Sequence, residues 1–117
     1  MSLNLEKYQT LATLLEEVRS DTMGNQVNAP ELRKGVSLLQ QVFRQQIVPL
    51  AAGSSRVQSY RTEMSKQLRL LEIDVMFFQG SRQASTAEER LKTIGDRLTT
   101  LIQYCEAILQ PEPEEEK

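Results

Sequence analysis

The 117-residue sequence contains no histidine, no tryptophan and a single cysteine. Without histidine the chain lacks the commonest general base and metal ligand near neutral pH. Cys105 stands alone, so it can form no intramolecular disulfide and has no histidine to activate it as a nucleophile. Five glycines are scattered along the chain and none belongs to a phosphate-cradling loop. With only four prolines as well, breakers are too scarce for a turn-rich β architecture. No stretch approaches the ~18 consecutive apolar residues of a membrane span, so no membrane insertion is expected. The opening residues show no basic segment leading into an apolar run, so no signal peptide is expected, and a lone cysteine suits the cytoplasm. A net charge of −2 gives no global attraction to nucleic acid or anionic lipid.

What remains is an ordinary globular composition, 39% hydrophobic and 26% charged, arranged with a helical period. Leu5, Tyr8, Ala12, Leu15 and Val18 recur at steps of three and four, widened by Leu11 and Leu14. A polar run at 20–29 breaks the period. Asn28, Pro30 and Glu31 form a helix start signal. Leu32, Val36, Leu39, Val42, Phe43 and Ile47 follow on one face. Pro49 would clash with a continuing helix, and Gly53-Ser54-Ser55 extends the interruption, so a break is favoured over a kinked continuation. Val57, Tyr60, Met64, Leu68, Leu71, Val75 and Phe78 mark the longest helix, with Gly80 as its stop. Ser85-Thr86-Ala87-Glu88 reads as a capping box. Leu91, Ile94, Leu98, Leu101, Cys105 and Ile108 then line one face, up to Pro111.

The pattern therefore predicts an all-α protein, an antiparallel four-helix bundle of up-down topology. Its helices are expected near 3–19, 29–48, 55–79 and 86–109, in one domain over 1–110. A three-helix core with the first helix laid across one side is the alternative. Leu91, Ile94, Leu98, Leu101 and Cys105 should pack on Leu68, Leu71 and Val75. Residues 111–117, acidic and proline-containing, should form a mobile tail.

No set of residues points to catalysis, and no cofactor or metal is expected. Glu16-Glu17, Glu88-Glu89 and Glu72/Asp74 are the carboxylate pairs, but neighbours on a helix diverge by ~100°, so none forms a two-carboxylate site. They read as solvated faces, and Cys105 reads as a core residue. Charge is more informative. Residues 1–32 carry a net −3, residues 33–69 a net +6 and residues 70–117 a net −5. The basic segment, with Arg33, Lys34 and Arg44 at its start, is a second candidate surface. The neighbouring acidic helices could neutralise it within the bundle, or it could meet an acidic protein, or nucleic acid in a multi-protein complex. Nucleic acid is disfavoured because no aromatics interleave with the cations.

The third helix carries the least ordinary pattern. At ~100° per residue with Val57 at zero, Leu68, Leu71, Val75 and Phe78 fall between about 300° and 20°. Leu70, Ile73 and Phe77 fall between about 160° and 220°, on the opposite side. Either the helix is covered twice within the monomer, or the outer stripe meets a second copy or another protein. The candidate partner site is Leu70, Ile73 and Phe77, with Arg69 and Asp74 as a polar rim.

The segment Leu68–Leu109, together with Leu5–Val18, resembles the PatD family of cyanobacteria. The likeness rests on Leu71-x-x-Asp74-x-Met76-Phe77, then Arg82-Gln83-x-x-Thr86, then Arg97-Leu98 leading to Tyr104-Cys105. These are packing and capping positions rather than catalytic motifs. The resemblance implies a protein-interaction regulator of heterocyst frequency, acting through the cell-division protein FtsZ. It supplies no binding residues.

Overall fold

The structure, a computed structural model, describes residues 3–24, 26–51 and 53–110. Four helices run in chain order: α1 Leu3–Asp21, α2 Ala29–Val42, α3 Ser55–Gln79 and α4 Ala84–Leu109. No strand occurs among the described residues. The expected acidic tail, 111–117, lies outside them.

Local chemistry sets the boundaries. Asn28 caps α2 through its side-chain oxygen, which accepts from the Glu31 amide at 2.9 Å, and Pro30 occupies the first turn. α2 passes into one π-helical turn, Phe43–Ile47, where the Val48 amide donates to the Phe43 carbonyl at 2.9 Å. Pro49 accounts for the exit: it has no N–H, and its ring would crowd the carbonyl four residues back. The break at Pro49 is thus the outcome. Two carbonyls left at this end are claimed from α3, since Arg61 donates to those of Val48 and Leu50, both at 2.8 Å. Gly53 takes φ 82°, left-handed backbone that glycine adopts without strain. Ser54 then caps α3 by accepting from the Val57 amide at 3.1 Å.

Two terminus readings are corrected. α4 begins at Ala84, with Gln83 before it and no side-chain cap bond. Ser85 is therefore already inside the helix and the expected capping box does not form. Gly80 does follow the last residue of α3, but with φ −89°, so left-handed freedom is not what ends that helix.

Each helix runs antiparallel to its neighbours, and α1 closes the ring by packing on α4 as well as α2. Arg19 on α1 donates to Thr99 on α4 at 3.3 Å, and the Tyr60 and Tyr104 rings of α3 and α4 lie 5.6 Å apart. This is the up-down bundle; the three-helix alternative does not occur. One apolar core holds the inward stripes, among them Leu11, Leu15, Leu32, Leu39, Ile47, Met64, Leu71, Ile94, Leu98 and Leu101. Of the expected α4 stripe, Leu91 is only partly buried at the edge, while Ile102, not anticipated, is buried. Gly35 permits a close approach of α2 to α1: a Cβ there would stand 3.0 Å from the Val18 Cγ2.

Candidate interaction surface

The inner stripe of α3 is committed to the core: Met64, Leu68, Leu71 and Val75 are buried. The outer stripe is not covered by the monomer. Ile73 is 41% exposed and Phe77 54%, while Leu70 is half-buried. Met76, which the helical wheel left aside, joins them at 59%. Its place on the wheel, ~100°, puts it on the α2 shoulder of the same ridge. Fully burying an apolar side chain of this size is worth roughly 1.5–3 kcal/mol, so each of these, about half in water, forgoes about half of that, and three stand within two turns.

The rim differs from the one expected. Asp74 is 6% exposed and is therefore not part of a solvent-facing border. It accepts a hydrogen bond from the Arg97 Nε of α4, and Arg97 Nη1 also donates to Gln67 Oε1 at 3.1 Å. The reason is angular. Asp74 lies ~100° round the helix from Ile73, on the side that faces α4. Its role is to tie α3 to α4.

Other cations border the ridge instead. Arg69 is exposed and lines a groove between α2 and α3 with Gln40, Arg44, Glu72 and Ile73. The fold thus brings Arg44, from the second candidate surface, to Arg69 and Ile73 of the first. Arg33 and Lys34 are exposed farther along α2, in a shallow depression shared with Leu38 and with Gln79 of α3. On the opposite flank, the Arg90 guanidinium of α4 lies 4.7 Å from the centre of the Phe77 ring, a cation–π contact. No spacing in the sequence pairs residues 77 and 90, so Arg90 was not anticipated.

Several acids near this face already have partners. Lys34 sits 3.8 Å from Glu31, Lys66 sits 3.2 Å from Glu63, and Gln40 donates to Glu72 at 3.2 Å. Arg33, Arg44 and Arg69 make no ion pair among the described residues. The face is apolar along its crest; its α2 shoulder carries Arg33, Arg44 and Arg69 against the Glu72 carboxylate, a net positive charge, and Arg90 lies on the α4 shoulder.

Nothing comparable surrounds the one thiol. Cys105 is fully buried, and burial, helped by the neighbouring Glu106 charge, pushes its pKa up to about 12. A thiol so held stays protonated at neutral pH and is a poor nucleophile. Among the described residues no three acidic or cysteine side chains gather as a metal-binding group, and no helix is long and apolar enough to cross a membrane. No protein-family profile, curated protein or solved structure matches this chain.

Proposed function

We propose that this protein acts by binding another protein rather than by catalysis. On this reading it is a regulator of the kind the PatD resemblance implies, adjusting heterocyst frequency through FtsZ. The observation that carries the reading is the uncovered crest of α3, Ile73, Met76 and Phe77, on a helix whose other stripe already serves the core. Large apolar groups clustered at a surface mark an interaction site more often than a lone exposed leucine does. Phe77 is its natural anchor, since an aromatic ring brings the most area to a contact.

The test is retention of purified FtsZ by the immobilised chain, with Phe77→Glu as the control. The side chain at 77 is more than half exposed and faces Arg90, so a carboxylate there gains a partner and the bundle should stay folded. FtsZ should be retained by the native chain and lost from the folded variant. No retention sinks the FtsZ reading, and equal retention by both shows that the crest of α3 is not where FtsZ binds.

A nucleic-acid-binding subunit is the second reading, favoured by the exposed cations Arg33, Arg44 and Arg69 along the α2–α3 side. It requires a labelled RNA or DNA to bind with an affinity that falls steeply as salt rises, because phosphate contacts release counterions.

A further inference from the structure

We infer that the crest of α3 is a docking site for an acidic amphipathic helix of a partner protein. The inference deepens the protein-binding reading and rests on it. It commits to a chemistry that the reading leaves open.

Three kinds of occupant can be weighed from the geometry. The first is this chain's own acidic run, residues 111–117. Phe77 stacks on Arg90, and Gln110 lies 20 residues beyond Arg90 on the same helix, about 30 Å along its axis. Seven residues, fully extended, span at most about 25 Å. Seven residues therefore fall short of that distance, and the sequence 111–117 contains no large apolar side chain.

The second is another copy of the chain. A two-fold contact brings the same patch to itself. With its axis over the crest, such a contact would set the cationic shoulders of one copy, Arg33, Arg44 and Arg69 on one side and Arg90 on the other, against those of the second copy. Like charges facing one another across a contact oppose it.

The third is a partner of opposite charge, and it satisfies both features of the face. Apolar side chains at helical spacing would lie on Ile73, Met76 and Phe77. Carboxylates flanking that stripe would meet Arg33, Arg44 and Arg69 on the α2 shoulder and Arg90 on the α4 shoulder. An amphipathic helix laid along a helical ridge presents anchors at three- and four-residue steps, matching the 73, 76 and 77 positions. A nucleic acid would satisfy the cations but leave the apolar crest in water, and the one aromatic on the crest already has a guanidinium on its ring. The observations favour protein.

The experiment uses the full isotope-labelled chain, titrated with two designed helical peptides that share one leucine-phenylalanine stripe. One has a glutamate polar face and the other a lysine polar face. The glutamate peptide should shift the amide resonances of α2 and α3 around Arg44, Arg69, Ile73 and Phe77, and the lysine peptide should not. Binding should weaken as salt is raised, and at least tenfold in Arg69→Glu, because the reversed charge would face the peptide's carboxylates. Arg69 is exposed and makes no contact the bundle needs, so that variant remains folded. Equal binding of both peptides, no shifts with either, or shifts elsewhere on the bundle overturns the inference. A concentration-dependent doubling of mass that Phe77→Glu abolishes also overturns it, in favour of a second copy. RNA binding that Arg69→Glu removes overturns it in favour of nucleic acid. The FtsZ experiment is independent. Peptide binding without FtsZ retention keeps this site and rejects FtsZ, whereas FtsZ retention that survives Arg69→Glu and Phe77→Glu rejects this site alone.

Discussion

Asp74 and Arg69 lie five positions apart on one helix, yet they do opposite things. Asp74 is buried and bonded to Arg97, with Gln67 completing the guanidinium's partners. Arg69 is exposed in the α2–α3 groove. Replacing Asp74 by alanine leaves Arg97 with one protein partner at an interface it was held against. The expected loss is about 2–3 kcal/mol, the scale of a hydrogen bond to a charged group. Asp74→Asn, which keeps an acceptor, should lose less. Arg69→Ala should change stability by no more than about 0.5 kcal/mol, as exposed substitutions generally do. Denaturant unfolding of the three variants checks this. Equal stabilities for Asp74→Ala and Arg69→Ala would mean that the Asp74–Arg97 tie contributes nothing. Sequence reasoning put both residues on one rim because it tracked distance along the chain and charge. Which side of α3 meets α4 is a property of the assembled bundle, and residues 74 and 97 belong to different periodic segments.

The elements themselves were far more legible. A three-and-four apolar period needs no knowledge of partners, because every helix of a bundle must bury one stripe. The Ser55–Gln79 bounds of α3 agree with the expected 55–79, and Pro49 ends the helical run of α2 and its π turn for a local steric reason. What escaped were features decided by neighbours: the π turn before Pro49, the Arg61 clamp on its carbonyls, and the start of α4 one residue ahead of its supposed cap. Two glycines test how far an element's own preference governs. Gly95 lies inside α4, where a Cβ would meet only Thr22 Oγ1, at 3.7 Å. Gly95→Ala should stabilise by about 0.5–1 kcal/mol, because glycine is the costlier residue in a helix interior. Gly35 has the same intrinsic preference inside α2, but its Cβ would press on Val18, a buried, β-branched side chain with little room to turn. Gly35→Ala should therefore gain nothing or lose stability. The two melting temperatures decide it. A comparable rise in both would show that the α1–α2 seam is looser than the 3.0 Å approach implies.

At the scale of the whole molecule, Cys105 reports whether the bundle is closed. It is fully buried on the inward stripe of α4, within the one core that all four helices share. A thiol reagent at pH 8 should react only when the bundle opens, so the labelling rate should track the population of open molecules and rise as denaturant is added. The pH dependence follows from the same burial. In the unfolded chain the thiol ionises near its ordinary value of 9.0, and in the folded chain only at about 12. Below pH 9 both states hold the proton and the group gives stability no slope. Between about 9 and 12 the native state holds a proton that the unfolded state has released, so stability must fall as pH rises. Tyr8 acts in the same direction, because burial raises its phenol above the ordinary 10.0 and Arg61 only partly offsets that. Cys105→Ala removes the thiol contribution. It should lower stability at pH 7 by opening a small cavity, yet decline less steeply than the native chain above pH 9. Parallel alkaline limbs for the two proteins would show that the thiol is not held at so raised a pKa. The core would then admit water along α4, and the closed four-helix ring would be less tightly sealed than its buried stripes indicate.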